Sequence, residues 1–227
     1  MNILITGANG GLGQELTRIF AENNHRVYAI SRHNNNLTRL IEDFDVHFLQ
    51  SDISIDTELD ILSNKLNELD SIDIVINNAS VLNKDELEHA SANKINESIQ
   101  TNLHAAIIIC KVAIPKLKRS KNAHIINISS MSGVSFAQKF EGMSVYGATK
   151  AGLNAFTESL AVELSKYNIH VNAIALSAVQ TPMLDQAFSK NIEAMHPKEV
   201  AAFIFDISLK YKGLFNGKII PLGFSVP

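Results

Sequence analysis

Short β-branched runs alternate with longer amphipathic stretches along this whole chain. Few architectures accept that order. Strands separated by helices pair in parallel, and a parallel sheet needs helices over both of its faces. Strands are expected at 2–6, 26–30, 45–50, 73–76, 123–128, 170–174 and 217–221. Four of them, around Ile3-Leu4-Ile5, Ile74-Val75-Ile76, Ile125-Ile126 and Val171, are apolar enough to be buried on both sides. Helices are expected at 11–23, 56–69, 93–118, 146–167 and 197–209, with Pro197 in a first helical turn, where its missing N–H costs nothing. The fold class is α/β: one Rossmann-type, doubly wound parallel sheet of about seven strands with helices on both faces.

No linker, repeat or low-complexity tract divides the 227 residues, and Asn34-Asn35-Asn36 reads as a loop. A single domain over 1–227 is expected. The net charge of −3 comes without a run of Lys or Arg, so neither nucleic acid nor an anionic membrane is an expected partner. The lone Cys110 excludes an internal disulfide and paired cysteine ligands, and no metal site is expected. Behind Ile107-Ile108-Ile109 that thiol reads as inert packing. The chain enters a strand at once, with no basic-then-apolar address, and has no apolar run of the ~20 residues a bilayer requires; a soluble cytoplasmic protein is expected.

Thr6-Gly7-Ala8-Asn9-Gly10-Gly11-Leu12-Gly13 joins the first strand to the first helix. Glycines there permit a tight turn and let backbone N–H groups at a helix N-terminus approach a pyrophosphate. Steric need alone also explains glycine in such a turn; the position after the first strand favours a dinucleotide. The second strand ends in Ser31-Arg32, where an acidic residue would select the free 2′-hydroxyl of NAD. A serine and a guanidinium suit a 2′-phosphate instead, so NADP(H) is expected over NAD(H). A solvated surface arginine is the alternative.

Tyr146-Gly147-Ala148-Thr149-Lys150 places a phenol and an ammonium four residues apart, on one helix face. A nearby cation depresses a tyrosine pKa. Lowering it by ~3 units takes ~4 kcal/mol of preferential stabilisation of the phenolate. An isolated pair of this kind is usually a surface pair. Here, however, Ser129-Ser130-Met131-Ser132-Gly133 leaves a buried strand at its carboxyl end, where open α/β sheets bind ligands and a serine can steady a carbonyl.

Taken together, Thr6-Gly7-x-x-x-Gly11-x-Gly13, Asn77-Asn78-Ala79, Ser130 and Tyr146-x-x-x-Lys150 resemble the short-chain dehydrogenase/reductase family over essentially the whole chain. The resemblance implies that Tyr146 is the general acid/base and that Lys150 holds the nicotinamide ribose and tunes the tyrosine. It makes Ser130 the substrate-orienting serine, ahead of Ser129 and Ser132, and assigns Asn102 to a proton-relay water. Gly7, Asn9, Gly11, Leu12 and Gly13 would cradle the cofactor, with Ser31 and Arg32 at the 2′-phosphate and Asp52 and Ile53 at the adenine. Asn78 and Ala79 would line it, and Thr181 would bond its carboxamide. A small-molecule carbonyl or alcohol is the implied substrate, a lid spans about 181–197, and a homodimer or homotetramer would form through the two longest helices.

The chain departs from the family pattern at Ser80, where glycine is usual, and at Leu176-Ser177, where Pro-Gly is usual. No lysine occupies Asn9 or Gly10, and the stretch from Ser130 to Tyr146 is long, so that 136–141 should loop over the site. Two alternatives stay open: a catalytically silent NADP(H)-binding regulator of the same fold, and a nucleotide-sugar epimerase or dehydratase of the extended family. The first has no chemical reason to keep Ser130, Tyr146 and Lys150; the second usually carries a larger C-terminal substrate domain.

Overall fold

The computed structural model describes residues 1–188 and 192–223. Its seven strands are β1 Asn2–Thr6, β2 Arg26–Ser31, β3 Val46–Gln50, β4 Ile74–Asn77, β5 His124–Ser130, β6 His170–Leu176 and β7 Lys218–Leu222. All pair in parallel, in the order β3-β2-β1-β4-β5-β6-β7. Winding therefore reverses between β1 and β4, and the crevice at the carboxyl ends of these two strands is where such sheets place ligands.

Side-chain alternation along each strand feeds two cores. Ile3, Ile5, Val27, Ile76, Ile126 and Ile174 face α1 (Gly11–Glu22), α2 (Thr38–Asp43) and α8 (Pro197–Leu209). Leu4, Ile30, Val75, Ile125 and Val171 face α3 (Asp56–Asn67), α5 (Ala105–Leu117) and α6 (Ser144–Leu164). Both faces of the sheet are thus covered, as the near-continuous apolar strands require.

α2 escapes the sequence pattern because it has only six residues, with Leu40 alone buried, and α7 (Pro182–Ala187), with Ala187 alone buried, opens the expected lid. A further difference bears on the site. The expected helix at 93–118 is α4 (Ala92–Ile99) followed by a π turn, Gln100–His104, and then α5. The Ala105 N–H reaches back to Gln100 O, which shifts the hydrogen-bond register by one residue and turns Asn102 into the protein. Residues 224–227 of the expected domain lie outside the described residues. Among the described residues, no helix is long and apolar enough to cross a membrane.

Candidate active site

A cleft of about 580 Å³ runs along the carboxyl ends of the strands, from the glycine loop to Tyr146 and on to α7. Its dinucleotide-sized end is built largely from backbone. Gly7 sits at φ +64°, and a Cβ there would lie 2.8 Å from Ala79 Cα; a Cβ at Gly13 would strike Gly7 O at 2.1 Å. The loop can therefore close only with glycine at both positions. Gly10 caps α1 without a side chain, and no acidic residue stands in its first turn. The N–H groups of that turn and the positive end of the helix dipole thus remain available to an anion.

Thr6 ties this loop to the next strand. Its Oγ1 accepts from the backbone N–H of Asn78 and of Ala79, each at 3.0 Å, while Asn78 Nδ2 donates to Thr6 O at 3.0 Å. The Asn77-Asn78-Ala79 motif therefore fixes the glycine loop against β4. Asn9, expected at the cofactor, lines the cleft, and its side chain serves the neighbouring loop: Asn9 Oδ1 accepts from Asn36 N at 2.9 Å and Asn9 O from Asn36 Nδ2 at 2.9 Å. Asn36 is thus a shaping residue the sequence did not reveal; a polar loop carries no periodicity to mark it.

Gly11, Leu12, Ser31, Arg32, Asp52 and Ile53 all line the same end of the cleft. Ser31 donates to His33 O at 2.5 Å, which leaves its lone pairs free. The exposed Arg32 guanidinium comes within 4.0 Å of the Asp52 carboxylate. Thr181 touches Gly11 closely: a Cβ on that glycine would lie 3.0 Å from Thr181 Cγ2. Leu176 and Ser177 line the cleft as well, with the turn secured by Ser177 N donating to Leu222 O at 2.9 Å. Replacement of Pro-Gly there is absorbed by pairing with β7.

Tyr146, Lys150 and Ser130 meet at the centre. Gly133 makes the meeting possible: a Cβ on it would lie 2.5 Å from the Lys150 carbonyl carbon, so only glycine lets the turn after β5 press onto α6. Burial, the largest influence, raises the Tyr146 pKa, and the Ser130 and Ser80 hydroxyls act the other way. This differs from the expectation that Lys150 dominates. The Lys150 ammonium points along α6 to β5, where it donates to Ile128 O at 2.9 Å, and lies 5.7 Å from the Tyr146 ring centroid. Burial lowers its pKa to about 7. Among the described residues Ile128 O is its one acceptor, so two of its three N–H donors can serve ligand hydroxyls.

Of the three serines, Ser130 alone acts on the tyrosine pKa; Ser129 is buried and donates to Lys150 O at 3.4 Å, and Ser132 offers its backbone N–H to Ser130 Oγ at 3.2 Å. Asn102, from the π turn, is saturated by protein. Its Oδ1 accepts from Val81 N at 2.8 Å and Ser80 Oγ at 3.0 Å, and its Nδ2 donates to Val81 O at 2.9 Å and Thr149 Oγ1 at 3.2 Å. An amide has no further capacity, so this side chain does not hold a water. It anchors the wall beside Tyr146 instead.

Below the site, Asn77 Nδ2 donates to Asn127 Oδ1 at 2.8 Å and to Cys110 Sγ at 3.2 Å, and Asn127 Nδ2 to Thr157 Oγ1 at 2.8 Å. Burial pushes the Cys110 thiol up to about 12, which makes it inert at neutral pH.

The remaining end of the cleft is apolar, with Met131, Phe140, Met143, Met183, Leu184 and Phe188. The long loop does lie over the site: Ala137, Gln138 and Phe140 face the cleft, while Phe136, at φ +65°, is fully exposed. Lys139 Nζ pins the loop by donating to Ser132 O at 2.9 Å and Val134 O at 2.6 Å. Opposite, Phe188 meets Phe140 edge-on at 5.6 Å and lies under Lys84 Nζ at 4.4 Å. The expected lid thus divides. Met183, Leu184, Phe188 and Ile192 face the cleft, whereas Ala187 and Met195 are buried in the protein; residues 189–191 lie outside the described residues. Among the described residues Glu86, Glu88 and His89 bring ligand atoms within 4.8 Å of one another, but all three are exposed and none lines the cleft.

Comparison with known proteins agrees with this geometry. The family model described as short chain dehydrogenase matches residues 1–192. A tropinone reductase homolog of Datura stramonium is 30% identical over 97% of this chain and 89% of its own length. Carbonyl reductase family member 4 of Xenopus laevis is 29% identical over 85% of this chain and 81% of its own. Among solved structures, a 4-hydroxyisoleucine dehydrogenase mutant complexed with NADH and succinate superposes with a TM-score of 0.89, at 26% identity, over 98% of this chain and 96% of that one. On the fold, the glycine loop and the Ser130, Tyr146 and Lys150 cluster, this chain belongs to the short-chain dehydrogenase family.

Proposed function

We propose that this protein is an NADP(H)-dependent oxidoreductase that interconverts a carbonyl and an alcohol, with Tyr146 as general acid/base. The observation that carries the reading is the continuity of one cleft, from the open N-terminus of α1 to Ser130, Tyr146 and Lys150. A nicotinamide cofactor, when bound, supplies or accepts the hydride.

Each side chain then has a definable task. N–H groups at Gly11, Leu12 and Gly13 bind the pyrophosphate, helped by the dipole of α1. Ser31 and Arg32 take the 2′-phosphate, Asp52 and Ile53 flank the adenine, Asn78 and Ala79 line the middle of the cofactor, and Thr181 bonds the carboxamide. Lys150 donates its two spare N–H groups to ribose hydroxyls, which favours the ammonium over the neutral amine. Ser130 donates to the substrate carbonyl oxygen and orients it. Tyr146 passes its hydroxyl proton to that oxygen in reduction and recovers it in oxidation.

The Met and Phe lining beyond Tyr146 suits a small or partly apolar carbonyl compound and excludes water from it. A homodimer or homotetramer through α4 to α6 goes with this reading; a monomeric mass in solution would remove that part.

The test is cofactor oxidation by purified protein over a panel of diketones, β-ketoacyl thioesters, aldehydes, ketosteroids and sugars, with NADPH and NADH side by side. Turnover with one class, faster with NADPH and absent in Tyr146→Phe protein, is expected. Tight NADPH binding without turnover on any class would favour a silent cofactor-binding protein. Equal affinities for the two cofactors would overturn the 2′-phosphate assignment.

A further inference from the structure

Phe140 and Phe188 come from two different segments, and their edge-on pair stands at the apolar end of the cleft. Phe188 directly follows α7, a helix of six residues with Ala187 as its one buried side chain. So short an element has little of its own to fix it. Its last turn is closed by Phe188 N donating to Leu184 O at 2.9 Å. The carbonyls at such an end have no partner within the helix.

Lys84 supplies a partner from 103 positions away: its Nζ donates to Ala187 O at 3.0 Å. The same Nζ lies 4.4 Å from the centroid of the Phe188 ring. One ammonium thus holds the end of the helix, where the dipole favours a cation, and the face of the ring that follows it. Lys84 is also seated on the long loop that carries Phe140. Asp85 N donates to Gly142 O at 3.1 Å. Gly142 stands at φ +76°, and a Cβ on it would lie 3.1 Å from Lys84 Cγ. The neighbouring carboxylate does not compete for the charge, because Asp85 is paired with Lys94 Nζ at 2.9 Å. Lys84 therefore joins the two segments that bear the aromatic pair, from outside the cleft.

We propose that Lys84 is a positioning and specificity-determining residue, which latches the end of α7 to the long loop and so sets how long a substrate the apolar end accepts. With the latch made, Phe188 is held against Phe140 and a short substrate is gripped. With the latch removed, Phe188 is released outward and a longer chain gains room. The selectivity part rests on the reading of this cleft as a carbonyl-reducing site; the latch itself does not.

The latch is tested without cofactor or substrate, by hydrogen exchange followed by mass spectrometry. Lys84→Met keeps the methylene stem against Gly142 and removes the ammonium, whereas Lys84→Arg keeps a cation. The Phe188 amide should exchange about tenfold faster in Lys84→Met protein and near the parent rate in Lys84→Arg protein. Parent-like exchange in Lys84→Met protein, or equal acceleration in both variants, would overturn the latch. Selectivity is read on the carbonyl class that the parent turns over, with members of increasing chain length. Lys84→Met should raise KM for the shortest members about tenfold, change kcat little, and shift the kcat/KM preference toward longer ones. Faster exchange with an unchanged chain-length preference would overturn the specificity role. Absence of turnover by the parent on every class would overturn the reductase reading instead, and the exchange result would still decide the latch.

Discussion

Strand β5 carries buried polar groups at both ends, and only one end is a site. At its carboxyl end lie Ser130 and, through Ile128 O, the ammonium of Lys150. At its amino end His124 is fully buried, with Nε2 at 3.0 Å from Asn172 Nδ2 on the adjacent β6. Asn172 in turn donates to Phe215 O at 3.0 Å and accepts from Lys218 N at 3.1 Å. The groups at the amino end answer one another and the backbone, except the buried His124 Nδ1, which has no partner among the described residues and does not line the cleft. Those at the carboxyl end keep spare donors and acceptors that face a cleft. Burial of a polar group therefore does not mark a site by itself; unspent hydrogen-bonding capacity beside open space does.

The comparison can be broken most sharply at the carboxyl end. Tyr146→Phe protein should keep its melting temperature and lose about 10²–10⁴-fold in turnover, measured as cofactor oxidation. Retained turnover would erase the distinction between the two ends. Acid should act at the other end. Burial pushes His124 from its ordinary 6.5 down to about 3. As pH falls below 6.5, the unfolded chain takes up a proton that the folded chain refuses, so stability is lost progressively toward pH 3. Chemical denaturation at pH 4 should give about 3 kcal/mol less stability than at pH 8 from this group, and a His124→Leu protein should lose less on the same change. Burial lowers His25 and His170 as well, which adds in the same direction. Turnover of His124→Leu protein at neutral pH should match that of the parent; a deficit would show that the amino end reaches the chemistry. Smallest is the effect expected at the rim of the cleft. Arg32→Ala should weaken NADPH binding about tenfold, or ~1.4 kcal/mol, and leave NADH binding unchanged in a fluorescence titration.

Much of this was legible in advance where one residue type in one local frame answers one physical demand. Glycine at 7 and 13 answers a turn that no side chain fits. The four-residue spacing of Tyr146 and Lys150 answers the pitch of a single helix. The near-continuous apolar runs of β1, β4, β5 and β6 answer burial on two faces. Less was legible where the partner comes from far along the chain. Asn36 meets Asn9 across 27 positions, and Asn102 meets Thr149 across 47. The π turn at Gln100–His104 leaves no trace in helical periodicity, because it alters one register inside an otherwise regular pattern.

The sequence by itself determined the layered α/β sheet, the glycine loop and the identity of the groups that meet at Tyr146, since local sterics and apolar periodicity depend on residues near one another. Tertiary structure alone decided how those groups are aimed: Lys150 toward Ile128 rather than the phenol, and the Asn102 amide spent within the protein on Ser80, Val81 and Thr149. Hydrogen-bond partners and burial are set by which distant segments the sheet brings together, and no window of sequence contains that distance.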